Sequence, residues 1–143
     1  MTNFIDVQDN DGSIFRIVRD LNQAYFGNCI ITGNNRQELA ILQDPAGSLN
    51  YQVDHAILKL DNDPEDRGFD ITDPIFFQNI LVNVNPGFID SDMNEYALDS
   101  TSQAVDQGSG TITTTPPPIT IDILGKSRFV NGQPDLGAFE RQF

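Results

Sequence analysis

The stretch NCIITGNN, residues 28–35, sets a polar side chain directly before an unbroken apolar run, and the arrangement returns along the chain. HAILK begins at His55, NILVN at Asn79 and the weaker NFIDV at Asn3, so the first residues are separated by steps of 25, 27 and 24. A period of that size marks a repeat architecture, in which one unit is too small to bury its own apolar face and stacks on the next. Nothing else in the sequence narrows the choice of fold as much.

Aligned on the polar residue, the columns are Asn3, Asn28, His55 and Asn79, then Phe4, Cys29, Ala56 and Ile80, then Ile5, Ile30, Ile57 and Leu81, then Asp6, Ile31, Leu58 and Val82. Short aliphatic runs bounded by Gly, Asn and Asp read as buried strands of a parallel sheet, because helices need longer runs at helical spacing. Successive strands would pair about 4.8 Å apart. FRIVRD from Phe15, ELAILQD from Glu38 and the region of Phe76 and Phe77 would supply the other faces of each turn. Ten Phe, three Tyr, eleven Gly and eight Pro suit short strands joined by turns. The expected fold is therefore all-β. It is a single-stranded, right-handed parallel β-helix of the pectate-lyase-like kind, with about four coils over residues 1–89 and a C-terminal capping segment over 90–143, together one domain.

In that fold Ile30, Ile57 and Leu81 form one inward column, and a stack of inward Asn side chains satisfies the backbone amides where each coil turns a corner. His55, the only histidine, then belongs to a corner column rather than to a catalytic site. Cys29, the only cysteine, sits within an apolar run and reads as a small buried hydrophobe, and a single cysteine excludes an internal disulfide framework.

The periodicity stops after Val84. NPGFIDSDMNEYAL from Asn85 is followed by SQAVDQG at Ser102, by TITTTPPPI at Thr111, where three prolines favour an extended connection outside any central sheet, by DILGKSR at Asp122 and by DLGAFE at Asp135. In the order and spacing of these motifs the chain resembles the right-handed parallel β-helix proteins of bacterial surfaces, particularly of Bacteroidetes, with a C-terminal region of the choice-of-anchor Q type. Gln103 stands where that family usually has proline, Glu95 replaces an Asp before the tyrosine, and Phe139 replaces the tyrosine of the closing motif. The resemblance implies the C-terminal part of a larger extracellular or cell-surface protein, with upstream coils of the same protein as partner. It brings no activity with it.

The formal charge of −13, from 21 Asp plus Glu against eight Lys plus Arg, argues against nucleic acid and anionic membrane surfaces, which demand a cationic face. The apolar runs are a few residues long, far short of a membrane span or a signal sequence.

Three groups of residues invite chemistry. In the acidic loop DNDPEDRGFD, Asp61 and Asp63 with Lys59 and Arg67 could contact carbohydrate, although a loop so rich in turn formers also reads as a solvated surface. Asp90, Asp92 and Asn94 have the alternate spacing of oxygen-rich calcium loops, but Glu95 stands where the loop needs glycine and Thr101 where it needs glutamate. Ca²⁺ is the only cofactor the sequence raises. Arg128 among Asp122, Asp135 and Glu140 reads as a clamp that holds the tail to the stack. No residue is assigned to catalysis. The expected function is a non-catalytic structural or carbohydrate-contacting module, with a cell-surface glycan as the other candidate partner. The alternative is part of a polysaccharide lyase or glycoside hydrolase whose active site lies mainly upstream of Met1.

Overall fold

A computed structural model of the protein describes residues 1–142. Seven strands occur among them, β1 (Phe4–Gln8), β2 (Ile14–Val18), β3 (Leu21–Ile31), β4 (Leu49–Leu58), β5 (Phe77–Val82), β6 (Phe88–Asp90) and β7 (Glu95–Leu98), with a 3-10 turn at Pro64–Arg67 and one short helix, α1 (Gly110–Thr114). They form three separate sheets: β1 with β2, β3-β4-β5, and β6 with β7. The first and last are antiparallel pairs.

The parallel β-helix of about four coils is not what the chain forms. Only the three-stranded sheet is parallel, and the repeat copy at Asn3 takes no part in it. That copy pairs with β2 because the intervening DNDG folds as a tight turn, with Asp9 N donating to Ser13 O at 2.8 Å, Gly12 N to Asp9 O at 2.9 Å and Gly12 at φ 86°. Closing this short loop costs far less chain entropy than closing a parallel crossover. Arg16 reinforces the hairpin through Asp6, at 2.7 Å, and sits over the Phe4 ring. Asn3 itself serves a different turn. Its side chain accepts from Asp44 N at 2.7 Å and donates to Asp44 O and Gly47 O, each at 3.0 Å. A second local turn at 91–94 folds β6 against β7, and the boundary expected at residue 89 falls inside β6.

The other three copies pair in parallel at the register their spacing predicts: Cys29, Ala56 and Ile80; Ile30, Ile57 and Leu81; Ile31, Leu58 and Val82. The polar column is where the ladder skips a residue. Asn28, His55 and Asn79 have φ of 51°, 51° and 52°, the left-handed region that Asn tolerates better than β-branched residues do. One such residue reverses the in-out alternation of its strand. Val53 and Ala56, three positions apart, therefore face the same core, with Leu39, Leu58, Leu60 and Phe77, whereas strict alternation would separate them.

The same reversal corrects a second expectation. Ile30, Ile57 and Leu81 do form one column, but it points to the opposite face of the sheet and packs on Leu98, Ala104 and Leu136 of the C-terminal segment. Both faces of the sheet are thus covered, as an all-aliphatic parallel strand requires. Burying Ile57, only 1% exposed, contributes roughly 1.5–3 kcal/mol on the usual area scale.

This backbone accounts for His55 and yields a test. His55→Asn is expected to change unfolding free energy by less than about 1 kcal/mol, while His55→Val, β-branched at a left-handed position, should cost about 1–2 kcal/mol more. Urea unfolding of the two variants checks this; equal stabilities would remove the backbone as the reason for the polar column.

Candidate functional site

Parallel pairing brings the carboxyl ends of β3, β4 and β5 together, so the chain leaving each strand converges on one place. Thr32, Lys59 and Asn83 each directly follow the last ladder position of their strand. With Arg36, Leu60, Asp61, Asn62, Asp63 and Val84–Pro86 they line an open groove of about 660 Å³.

Asp61 is the fixed point of this groove. Its side chain is 7% exposed and takes Arg36 in a two-pronged ion pair, Nε to Oδ2 at 2.6 Å and Nη2 to Oδ1 at 2.9 Å. Asp61 Oδ1 also accepts from Asp63 N at 3.0 Å. The Asp61 charge pushes the Arg36 guanidinium above its usual range, and Asp66, 3.1 Å from Nη2, adds to the effect. Asp63 caps the 3-10 turn by accepting from Glu65 N at 3.0 Å, and Gly68 ends that turn at φ 74°. Lys59 Nζ donates to Gly33 O at 2.7 Å, and Asn83 accepts from Leu60 N at 2.9 Å while donating to Asn62 Oδ1 at 3.0 Å.

Lys59, Asp61 and Asp63 are therefore brought together. Arg67 also reaches Asp61, its Nε donating to Asp61 O at 2.8 Å, but it does not line this groove; it lines a different hollow beside Phe69 and Ile71. The acids and cations of the groove are tied to one another or to backbone, which suits holding a ligand better than moving protons. Arg36 and the Asn side chains were missed in the sequence. Extending the repeat columns by one position to Thr32, Lys59 and Asn83 would have pointed to them.

Thr32 also lines a neighbouring hollow of about 390 Å³, whose walls include Phe88, Tyr96 and Phe139. Phe88 and Tyr96 meet edge to face with ring centroids 5.3 Å apart, and Tyr96 is 43% exposed. Thr32 is thus common to the walls of the polar groove and the aromatic hollow.

The proposed calcium residues form a turn. Asp90 Oδ1 accepts from Met93 N at 3.1 Å, Asn94 has φ 60°, and its Oδ1 accepts from Tyr96 OH at 3.3 Å. Among the described residues, no three His, Cys, Asp or Glu side chains gather so as to hold a metal ion.

Asp122, Arg128, Asp135 and Glu140 gather in one buried network, as a clamp requires. Asp122 accepts from Leu124 N and Lys126 N, both at 2.8 Å, and from Glu140 N at 3.0 Å. Asp135 accepts from Asp106 N at 2.8 Å and Arg141 N at 2.7 Å, and Glu140 Oε2 accepts from Asp135 N at 2.9 Å. Arg128 Nη2 donates to Gly137 O at 2.9 Å, but Nη1 stays 3.9 Å from Glu140 Oε2. Arg128 Nε and Nη1 and Glu140 Oε1 are buried with no hydrogen-bond partner among the described residues. Gly137, at φ 90°, brings its N–H to Asn28 O at 2.8 Å, where a Cβ would meet Ile30 Cδ1 at 3.0 Å. The tail is thereby docked on β3.

Burial pushes the Cys29 thiol up, so it stays protonated and packs beside the first core. Among the described residues no helix is long and apolar enough to cross a membrane. The chain matches no protein-family model, no curated protein and no solved structure.

Proposed function

We propose that the protein is a non-catalytic, carbohydrate-contacting module whose ligand runs from the polar groove at the carboxyl ends of β3–β5 into the aromatic hollow. The observation that carries this reading is that Thr32 lines both hollows, which sets a polar wall and an aromatic wall beside one another. Sugars offer hydroxyls to planar polar groups and C–H faces to aromatic rings. Arg36, Asn83 and Asn85 supply the first kind of partner, Tyr96, Phe88 and Phe139 the second. The net charge of −13 disfavours an acidic polysaccharide and favours a neutral glycan.

Calorimetric titration with neutral cello-, xylo- and manno-oligosaccharides tests the reading, together with a reducing-end assay on the same sugars. Binding without turnover is expected, and Tyr96→Ala should weaken it about tenfold, the size of a lost aromatic contact. Absence of binding to every neutral glycan, or reproducible cleavage, would reject the proposal.

A further inference from the structure

A third groove, of about 730 Å³, opens on the face of the sheet that the C-terminal segment covers, and its wall holds the chain's only histidine. There the left-handed backbone at residues 55 and 79 places His55 and Asn79 side by side across the β4–β5 pair. Asp54 Oδ1 lies 2.7 Å from His55 Nδ1 and accepts from Asn79 Nδ2 at 3.0 Å. The Asp54 side chain is 15% exposed and that of His55 27%, so the carboxylate is largely withdrawn from water while the imidazole reaches it. With the Asp54 carboxylate on Nδ1, the tautomer that carries its proton there would leave the Nε2 lone pair as an acceptor. Among the described residues Nε2 has no hydrogen-bond partner, both contacts of the ring falling on Nδ1.

Opposite the histidine stand Gln107, Ser109, Thr111 and Gln133, with Asp106, whose Oδ1 accepts from Asn131 Nδ2 at 2.5 Å. Among the described residues no lysine or arginine lines the groove, so no fixed cation is there to neutralise an anion. Asp54 and Asp106 are already engaged by neighbouring side chains, which leaves little to recruit a cation. What remains is a set of neutral donors and acceptors, including two glutamine amides, two hydroxyls, one histidine acceptor and one asparagine. That set matches a ligand that presents several hydroxyls at once.

We infer that the Asp54–His55–Asn79 groove is a second saccharide site, in which His55 Nε2 accepts a hydrogen bond from a hydroxyl of a neutral mono- or disaccharide unit. The inference rests on the carbohydrate reading above but is carried by other polar side chains, His55, Asn79 and Gln133, although Leu136 lies in the walls of both the aromatic hollow and this groove. A sugar hydroxyl donates to Nε2 while Asn79 and Gln133 bond its neighbours. Asp54 acts as a positioning residue, fixing the tautomer without touching the sugar.

Because the protein has one histidine, a single imidazole signal reports this groove. ¹⁵N- and ¹³C-labelled protein is titrated with the same neutral oligosaccharides. The His55 Nε2 resonance and the Gln133 side-chain amide are expected to shift and saturate together. His55→Asn, which suits the backbone, and Gln133→Ala, at an exposed position, should each weaken that saturation about five- to tenfold, as loss of one hydrogen bond does. Neither should alter the response of Tyr96. Sugars that shift Tyr96 but leave the His55 imidazole unmoved would overturn the inference and spare the function proposed above. No response anywhere would overturn both. Unchanged affinity in Gln133→Ala and His55→Asn alike, despite shifts at both groups, would also overturn the assignment of the contacting residues.

Discussion

Asp122→Ala is expected to destabilise the protein by about 3–5 kcal/mol, a large share of the roughly 5–15 kcal/mol that holds a domain of this kind folded. The residue is 5% exposed, and its two oxygens take three backbone N–H groups, from Leu124, Lys126 and Glu140. Burial alone would raise its carboxyl pKa. The three donors and the Arg128 charge outweigh burial, and the carboxyl is held below its usual value of 3.8. An alanine would leave the buried Glu140 N–H and the partly buried N–H groups of Leu124 and Lys126 without their acceptor, and Arg128 with one counter-charge fewer. The contribution of Asp122 is present above its unfolded-state pKa and is lost as pH falls through the lowered folded value. Urea midpoints of wild type and variant measure the loss. A cost below about 1 kcal/mol would mean that the tail peels from the sheet without affecting the core, and that the network does not clamp it.

Between pH 4.5 and about 7 the opposite sign is expected from Glu140. Its carboxyl is raised from 4.5 to about 7, chiefly by burial and also by the nearby Asp135 charge, an effect that the Asp135 N–H and Arg128 only partly offset. The Glu140 side chain is fully buried, and Arg128 Nη1 stops 3.9 Å short of it. A carboxyl that binds its proton more tightly when folded contributes stability that is complete below its unfolded pKa and is lost as pH rises through the folded value. A tenfold tightening of proton binding is worth about 1.4 kcal/mol, so the loss is on the order of 3 kcal/mol. Asp135, also raised by burial, adds to it in the same direction. Glu140→Gln keeps an acceptor for Asp135 N–H and cannot ionise. The variant should therefore show a much flatter stability curve between pH 4.5 and 7 and match or exceed wild type at pH 8. A wild-type slope that survives the substitution would sink this assignment.

Asp122 and Glu140 stand in the tail motifs DILGKSR and DLGAFE, where a guanidinium and three acids among glycines already suggest a clamp. What the motifs could not reveal is that the clamp closes imperfectly. Whether Arg128 reaches Glu140 depends on how Gly137 docks against Ile30, a contact between segments far apart in the chain. The acidic loop was half legible for a similar reason. Its spacing placed Lys59, Asp61 and Asp63 along one groove, while Arg67, bonded to the Asp61 carbonyl, lines a neighbouring hollow instead.

The sequence by itself determined the pairing of three strands. A polar residue followed by three aliphatic ones, repeated at steps of 27 and 24 residues, admits few registers that bury every apolar side chain, and the observed ladder is one of them. Local signals also determined the ends, since tight turns such as DNDG close a hairpin whatever lies elsewhere. Tertiary structure decided the rest. The repeat suggested stacked coils, yet the copy at Asn3 found a nearer partner in β2, and short-range closure prevailed over long-range pairing. It also decided which way the strands face. A single left-handed residue in each, invisible to a count of alternating positions, reverses their alternation. That turns Ile30, Ile57 and Leu81 toward the C-terminal segment and opens the His55 groove between them.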